Sequence, residues 1–542
     1  MERWGCNERP GCIPTCRGAE KRVTPKIYRS LTVLLAAWLL VWLRLSWPAM
    51  QDDALIHLRY AVNLLQHHMI SYDGVHPDYG TSSLLYVWLL AGLRAFFTTP
   101  VLPRAVSSVF HVALFTGLAW AFARALRSAP KLAWGFALLL LAVLAMPMAV
   151  RWLNDGMETS LTLCLVALLA FAVSRLGHSE RISSRSAAWL FVLGLAATLT
   201  RVEYLLLLCV ASMTLFLERR EHAAERVVTG RPSPAVRCAA PLLGSLLGAA
   251  AILGTMHALM PDTAIAKGDD HATLPATGHA VLTVLAGSAS LGVGLLALWL
   301  LTAAAVIAHR RRVSPALLVA NSPFPLVVVL AALHGQQVQG VRYFLWTLLF
   351  PVLWNTLELR WRAEEPGRSA ARALSIATYV VAGMLLVLAP IESKLLYKEF
   401  RAREASLAQF RAQHLERLHA MTLVASDIGY IGYFTDSPLC DVEGLVNGRA
   451  RAAMPYSERV MTCAAEHPQY AFVSPSSLGD LNYRMSLKDW SICAVYDLAN
   501  LRASGLHYLI ASPEAAANVC AAAGNKPQPL EPVIRGRAAA AF

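Results

Sequence analysis

Apolar runs of roughly 17 to 25 residues recur from Leu31 to Pro390, each long enough to cross a hydrocarbon core of about 30 Å. A signal peptide would leave one such run, and a buried core helix would be shorter. The chain as far as Pro390 therefore reads as an all-α polytopic membrane domain. Composition agrees: of 542 residues 56% are hydrophobic and 15% charged, with a mean hydropathy of +0.47, outside the range of a soluble chain of this length. The formal charge of +13 does not indicate a nucleic-acid partner, because the basic residues sit mostly in short loops between apolar runs. That pattern reports topology.

The segment before the first run carries Arg3, Arg9, Arg17, Lys21, Arg22, Lys26 and Arg29, which places the N-terminus in the cytoplasm. The first span, near residues 30 to 47, then exits outward. The run Thr81 to Phe97 is read as an interfacial or re-entrant helix, because counting it as a span would put most later basic loops outside. With that choice the inner loops hold Arg124, Arg127 and Lys131; Arg175, Arg181 and Arg185; Arg219, Arg220, Arg226, Arg231 and Arg237; Arg310, Arg311 and Arg312; and Arg360, Arg362, Arg368 and Arg372. Further spans follow near 104 to 123, 132 to 150, 157 to 174, 186 to 200, 202 to 217, 238 to 258, 281 to 308, 314 to 333, 341 to 358 and 373 to 392, about eleven in all. The expected protein is a multi-pass one of the bacterial inner membrane, N-terminus in and C-terminus out. Its parts are a cytoplasmic segment (1–29), a membrane domain (30–393) and a small extracytoplasmic α/β domain (394–542), where composition turns mixed and short β-prone runs such as Ala471–Val473 and Tyr508–Ala511 alternate with helical stretches. Cys440, Cys463, Cys493 and Cys520 all fall in that last part, so two disulfides are expected with three connectivities open. Cys6, Cys12 and Cys16 have no zinc-like spacing.

Once the loops are sided, the outer ones concentrate the polar chemistry. The first holds Gln51-Asp52-Asp53 and then His57, Arg59 and Tyr60, on a segment whose apolar residues recur at helical spacing. Adjacent carboxylates at an interface can leave one with a raised pKa as a usable base, or can simply offset the positive end of a helix. A second outer loop has Arg151, Asp155-Gly156 and Glu158, either turn chemistry or part of a site. Thr200-Arg201-Val202-Glu203 interrupts an apolar stretch, where ionisable groups usually face a cavity or one another. Lys267 follows Pro261-Asp262, and His334-Gly335-Gln336-Gln337 precedes Arg342-Tyr343. Arg151, Arg201, Lys267 and Arg342 are thus candidates to bind a lipid phosphate, with His57, Arg59, Tyr60, Glu158, Glu203 and Tyr343 as substrate-binding candidates. Each cation alone could equally face lipid headgroups.

These motifs, in this order, resemble a family. Asp52-Asp53-Ala54 with Arg59-Tyr60, Gly80-Thr81-Ser82, Gly156-Met157-Glu158-Thr159, Thr200-Arg201-Val202-Glu203, Asp262 to Lys267 and Arg342-Tyr343 resemble the GT-C membrane glycosyltransferases, most of all the mycobacterial terminal arabinofuranosyltransferases and their bacterial relatives. Gly429-Tyr430-Ile431-Gly432-Tyr433 and Asp441 to Val446 extend the resemblance toward the C-terminus. It departs from the family where Val202 replaces the usual proline and where Tyr79 to Ser83 matches loosely. The resemblance implies a GT-C-like fold and an inverting transfer of a sugar, a pentofuranose by analogy, from a polyprenyl-phosphate donor to an envelope glycan, lipid or protein. It implies Asp52 as the base, with Asp53 supporting it or holding the acceptor. No cofactor is called for. A divalent cation beside Asp52 and Asp53 is compatible with the chemistry, although no ligand cage is visible. The rival readings are a lipid-linked glycan flippase or other transporter, which should show repeated halves or broken helices at mid-depth, and a glycan ligase.

Overall fold

The structure, a computed structural model, describes residues 25–127, 129–179, 181–225, 235–267, 273–310, 313–333, 340–361, 368–498 and 505–533. Cys6, Cys12, Cys16 and the 334–337 loop lie outside them. Nine helices open the described chain: α1 (Pro25–Leu45), α2 (Asp52–His67), α3 (Leu84–Arg94), α4 (Leu102–Ala125), α5 (Lys131–Ala145), α6 (Pro147–Leu153), α7 (Thr159–Gly177), α8 (Ser184–Thr200) and α9 (Tyr204–Glu225). Five helices among the described residues are long and apolar enough to cross a membrane: Ile27–Leu45, Leu102–Ala125, Thr159–Gly177, Ala289–His309 and Ser369–Ala412.

Most of the remaining expected spans are divided or short. Pro147 ends α5, and α5 and α6 meet at a 66° bend where one run had been read. The 281–308 run splits into Leu274–Gly287 and Ala289–Arg310, with Ala289 at φ 36° between them. Pro323 opens a new helix, Pro323–Leu333, after Pro315–Ala320. Segment α3 has 11 residues, a length of roughly 16 Å at helical rise, short of a hydrocarbon core.

The last membrane helix, Arg368–Ala412, has 45 residues and continues without a break into the C-terminal unit. There the strands β1 (Leu423–Ala425), β2 (Leu439–Asp441), β3 (Tyr470–Val473), β4 (Ser491–Asp497), β5 (Leu506–Ala511) and β6 (Gln528–Pro529) form a mixed sheet of order β2-β1-β3-β5-β4-β6. Strands β2, β1 and β3 run parallel; β5, β4 and β6 are added antiparallel. Disulfides Cys440–Cys463 and Cys493–Cys520 tie β2 and β4 to the helices packed on them. One apolar core is shared across the junction: Leu55 and Leu58 of α2 pack in the same cluster as Phe410, Tyr430 and Phe472. Helix α2 is therefore the piece of the membrane half on which the sheet unit rests.

Candidate functional site

Successive residues of a helix point about 100° apart, so the neighbouring carboxylates at the start of α2 serve different surfaces. Asp52 turns to the C-terminal unit, where its two oxygens accept the backbone N–H groups of Gly429 and Tyr430, each at 2.7 Å, at the start of the helix Ile428–Thr435. Two turns on, Arg59 shares that direction: it pairs with Asp436 at the far end of the same helix, and its Nε donates to the Tyr72 carbonyl at 3.2 Å. Burial, and then the charge of Asp427, push the Asp52 carboxyl up to about 7 against the pull of the two N–H groups. Gly429 is required there, because a Cβ would run into the Asp52 carbonyl oxygen.

Asp53, Ile56 and His57, at i, i+3 and i+4, share another face of α2 and line a cavity of about 620 Å³. Its walls are largely apolar, from Leu205 and Leu206 of α9, Leu259 and Met260, and Val327 and Ala331 of the helix Pro323–Leu333. Its polar end gathers Asp53, Arg201, Glu203, Lys267, Arg342 and Tyr343. Arg342 donates from Nη2 to Asp53 Oδ2 at 2.7 Å and from Nη1 to Gln51 Oε1 at 3.2 Å. Arg201 pairs with Glu158 at 3.1 Å and with Glu203 at 2.7 Å. The guanidinium carbons of Arg201 and Arg342 lie 4.9 and 5.4 Å from the Tyr343 ring centre, so two cations flank one aromatic ring. Burial alone would raise the Asp53 carboxyl, but Arg342 and Lys267 outweigh it and hold the group below the ordinary range. Lys267 itself makes no ion pair among the described residues.

A second cavity, of about 560 Å³, shares Asp53, Lys267, Arg342, Tyr343 and Leu445 with the first. Leu445 stands between them on a loop organised by Asp441, whose carboxylate accepts the N–H groups of Glu443, Leu445 and Val446. The rest of this chamber is polar: Ser426, Asp427, Glu443, Tyr456, Ser477 and Asp480 face it from the sheet unit, with Trp152 opposite. Ser474, Ser476, Ser477 and Asp480 escaped the sequence reading. Their one local signal is the helix-opening pattern Ser474-Pro475, which the structure uses as a cap: Ser474 Oγ accepts the Ser477 N–H.

Of the residues expected at a site, Asp53, His57, Arg201, Glu203, Lys267, Arg342 and Tyr343 line one or both cavities. Glu158 sits behind the wall, fully buried, holding Arg201 and His57, whose Nε2 lies 3.3 Å away; Thr81 Oγ1 is 2.8 Å from the other ring nitrogen. Asp52, Arg59, Tyr60 and Arg151 border neither cavity. Tyr60 is bonded to Asp78 and accepts the Gly80 N–H at 3.0 Å; Arg151 donates to both oxygens of Glu399 at 3.0 Å and covers the Trp152 ring. Asp52 accepts the two amides, whereas Asp53 faces Arg342 and Lys267, so the two carboxylates serve different partners. Among the described residues, the group of three side chains placed closely enough to hold a metal ion, His178, Glu218 and Glu358, lies at the other end of α7.

Comparison with known proteins bears on the fold. Residues 396–516 match a family model described as Domain of unknown function (DUF8728). No curated protein matches the sequence. Among solved structures the chain is similar to ArnT from Cupriavidus metallidurans, crystallised bound to undecaprenyl phosphate, with a TM-score of 0.53 and 15% identity over 90% of this chain and 98% of that one. The likeness spans both the helical half and the sheet unit, so the fold is ArnT-like, with five described helices long and apolar enough to cross a membrane.

Proposed function

We propose that the chain is an inverting glycosyltransferase that takes a sugar from a polyprenyl-phosphate donor on the extracytoplasmic face of the bacterial inner membrane. The observation that carries this reading is the meeting of an apolar chamber and a polar one at Asp53, Lys267, Arg342 and Tyr343. A polyprenyl chain needs the first, a hydroxyl acceptor needs the second, and the phosphate belongs where the cations stand. The undecaprenyl phosphate bound by ArnT, a protein of similar fold, supports the same donor class. The motif resemblance favours a pentofuranose.

Helix α7 supports the proposed sidedness. Its N-terminal end carries the Glu158 wall of the site, while near its C-terminal end Arg219 donates to the Leu176 and Ser179 carbonyls at 3.0 and 2.7 Å. The site and the basic loops are thus separated by a 19-residue helix, about 28 Å long. With basic loops inside, the site is outside.

The geometry favours Asp53 over Asp52 as the base. In the resting arrangement Arg342 holds Asp53. A phosphate entering from the apolar chamber competes for Arg342 and, with Arg201 and Lys267, forms the charged end of the donor site. Asp53, relieved of part of its partner, takes the proton of the acceptor hydroxyl as that oxygen bonds to the anomeric carbon. The carbon–oxygen bond to phosphate breaks, and its electron pair leaves on the polyprenyl phosphate, where the cations neutralise it in a site of low polarity. Alignment of the two chambers on opposite sides of the sugar supplies the inversion. Full-length protein in lipid nanodiscs, supplied with undecaprenyl-phosphate pentofuranose and envelope extract, should release undecaprenyl phosphate with the sugar recovered on a glycan, lipid or protein. Recovery of intact lipid-linked sugar on the opposite leaflet would identify a flippase instead.

A further inference from the structure

The polar chamber occupies a particular place in the sheet. Ser426 and Asp427 directly follow β1, Glu443 follows β2, and Ser474 to Asp480 follow β3, so the chamber lies at the carboxyl ends of the three parallel strands. In the order β2-β1-β3-β5-β4-β6, the chain leaves β1 toward β2 and leaves β3 toward β4, in opposite directions. The crevice between β1 and β3 is therefore a topological switch point, the position at which open α/β sheets hold their ligands. The side chains around it are mostly carboxylates and hydroxyls, and the cations, Lys267 and Arg342, stand only on the wall shared with the apolar chamber. Burial, followed by the charges of Asp441 and Asp427, raises the Glu443 carboxyl to about 7 against the pull of Arg459 and Lys267, while Asp427 is paired with His507. Opposite, the indole N–H of Trp152 is buried and has no hydrogen-bond partner among the described residues, and Gly340 lets the ring approach the chain without a side chain between.

We propose that this switch-point crevice is the acceptor site, and that it takes a sugar unit bearing hydroxyl or amino groups and no negative charge. The proposal rests on the transferase reading and adds the chemistry of the acceptor to it. Hydroxyl and ammonium groups donate to Asp427, Glu443 and Asp480, while the Trp152 ring provides a flat apolar face and a donor. A phosphorylated or carboxylated unit would bring its charge against three carboxylates, and the resulting preference should be on the order of tenfold or more. Acidic acceptors would be drawn instead to Lys267 and Arg342, where they would compete with the donor phosphate.

The test uses full-length protein in nanodiscs and two pools of soluble oligosaccharides released from bacterial envelopes and separated by anion exchange. One pool is unretained and the other retained. Oligosaccharides that remain with the nanodiscs are identified by mass spectrometry, and loading of undecaprenyl phosphate is measured on the same samples. The expected result is capture from the unretained pool, reduced at least tenfold by Glu443→Gln with Ser477→Ala, with undecaprenyl phosphate loading unchanged. Asp480→Lys, at an exposed position, should begin to capture the retained pool. Capture by the unsubstituted protein from the retained pool alone, or from neither pool by protein that loads undecaprenyl phosphate, would overturn the proposal and leave the donor reading standing. Equal capture by the Glu443→Gln, Ser477→Ala variant would overturn it as well. Failure to load undecaprenyl phosphate would remove the transferase reading, and this inference with it.

Discussion

Lys267 separates a donor-binding role from a structural one. It lines both cavities without an ion pair among the described residues, so its removal leaves no buried charge behind. Lys267→Met should raise the KM for a polyprenyl-phosphate donor about tenfold or more, with the rate recovering at high donor and the melting temperature unchanged; a fall in rate that extra donor does not relieve would remove it from the donor site. Arg151→Met should do the reverse. It removes one of the two arginines paired with the buried Glu399, leaving Arg403 in place, and borders neither cavity, so the loss is of stability, about 1.5 to 3 kcal/mol, with donor affinity retained. The sequence told these residues apart poorly. It marked Arg151, Arg201, Lys267 and Arg342 alike as outer-face cations, because loop charge reports which side of a membrane a residue lies on and nothing about direction. Direction was legible at one place. On a helix opening at Asp52, the 100° step already separates Asp52 from Asp53 and groups Asp53 with His57, and Asp52 with Arg59.

At the scale of elements, the join between α2 and the helix Ile428–Thr435 is the hinge of the site, because α2 carries Asp53 while its other face holds the sheet unit. An unfolded aspartate titrates near 3.9, and folded Asp52 near 7. Between those values the folded protein keeps a proton that the unfolded chain has lost, so this group's contribution to stability falls as pH rises from about 4 to about 7. Asp52→Asn should flatten that part of the thermal-stability profile, and an unchanged slope would place the titration elsewhere. Gly429→Ala should weaken the join at every pH. The two disulfides, with sequence separations of 23 and 27, should each be worth about 3 kcal/mol to the sheet unit, read as a lowered melting temperature in Cys463→Ser or Cys520→Ser. Four cysteines in a stretch placed outside made disulfides legible, but pairing needed the sheet. Breaks in the apolar runs were half legible, since Pro147 and Pro323 are visible in the sequence, whereas the left-handed residue Ala289 carries no local mark.

For the whole molecule, hydropathy gave the membrane half and the change of composition after Pro390 gave the second unit, while the continuity of Arg368–Ala412 through that boundary was hidden by its own polar turn toward the C-terminus. The polar chamber could not be read from sequence, because it is assembled from eight separate stretches between Gln51 and Asp480, drawn from both the membrane half and the sheet unit, that only the folded chain brings together. Sidedness is open to direct measurement: reporter fusions after residue 400 should be active outside the membrane, and an inward report would turn the site toward the cytoplasm. The proposed base, Asp53, stands where the two chambers meet, and its role is read by single-turnover transfer from undecaprenyl-phosphate pentofuranose. Asp53→Asn should lower the rate by about two to four orders of magnitude with the donor still bound, while Asp52→Asn, which removes an interdomain contact, should cost far less. Near-normal turnover by Asp53→Asn, with the large loss falling on Asp52→Asn, would make Asp52 the base and move the reaction away from the meeting of the chambers.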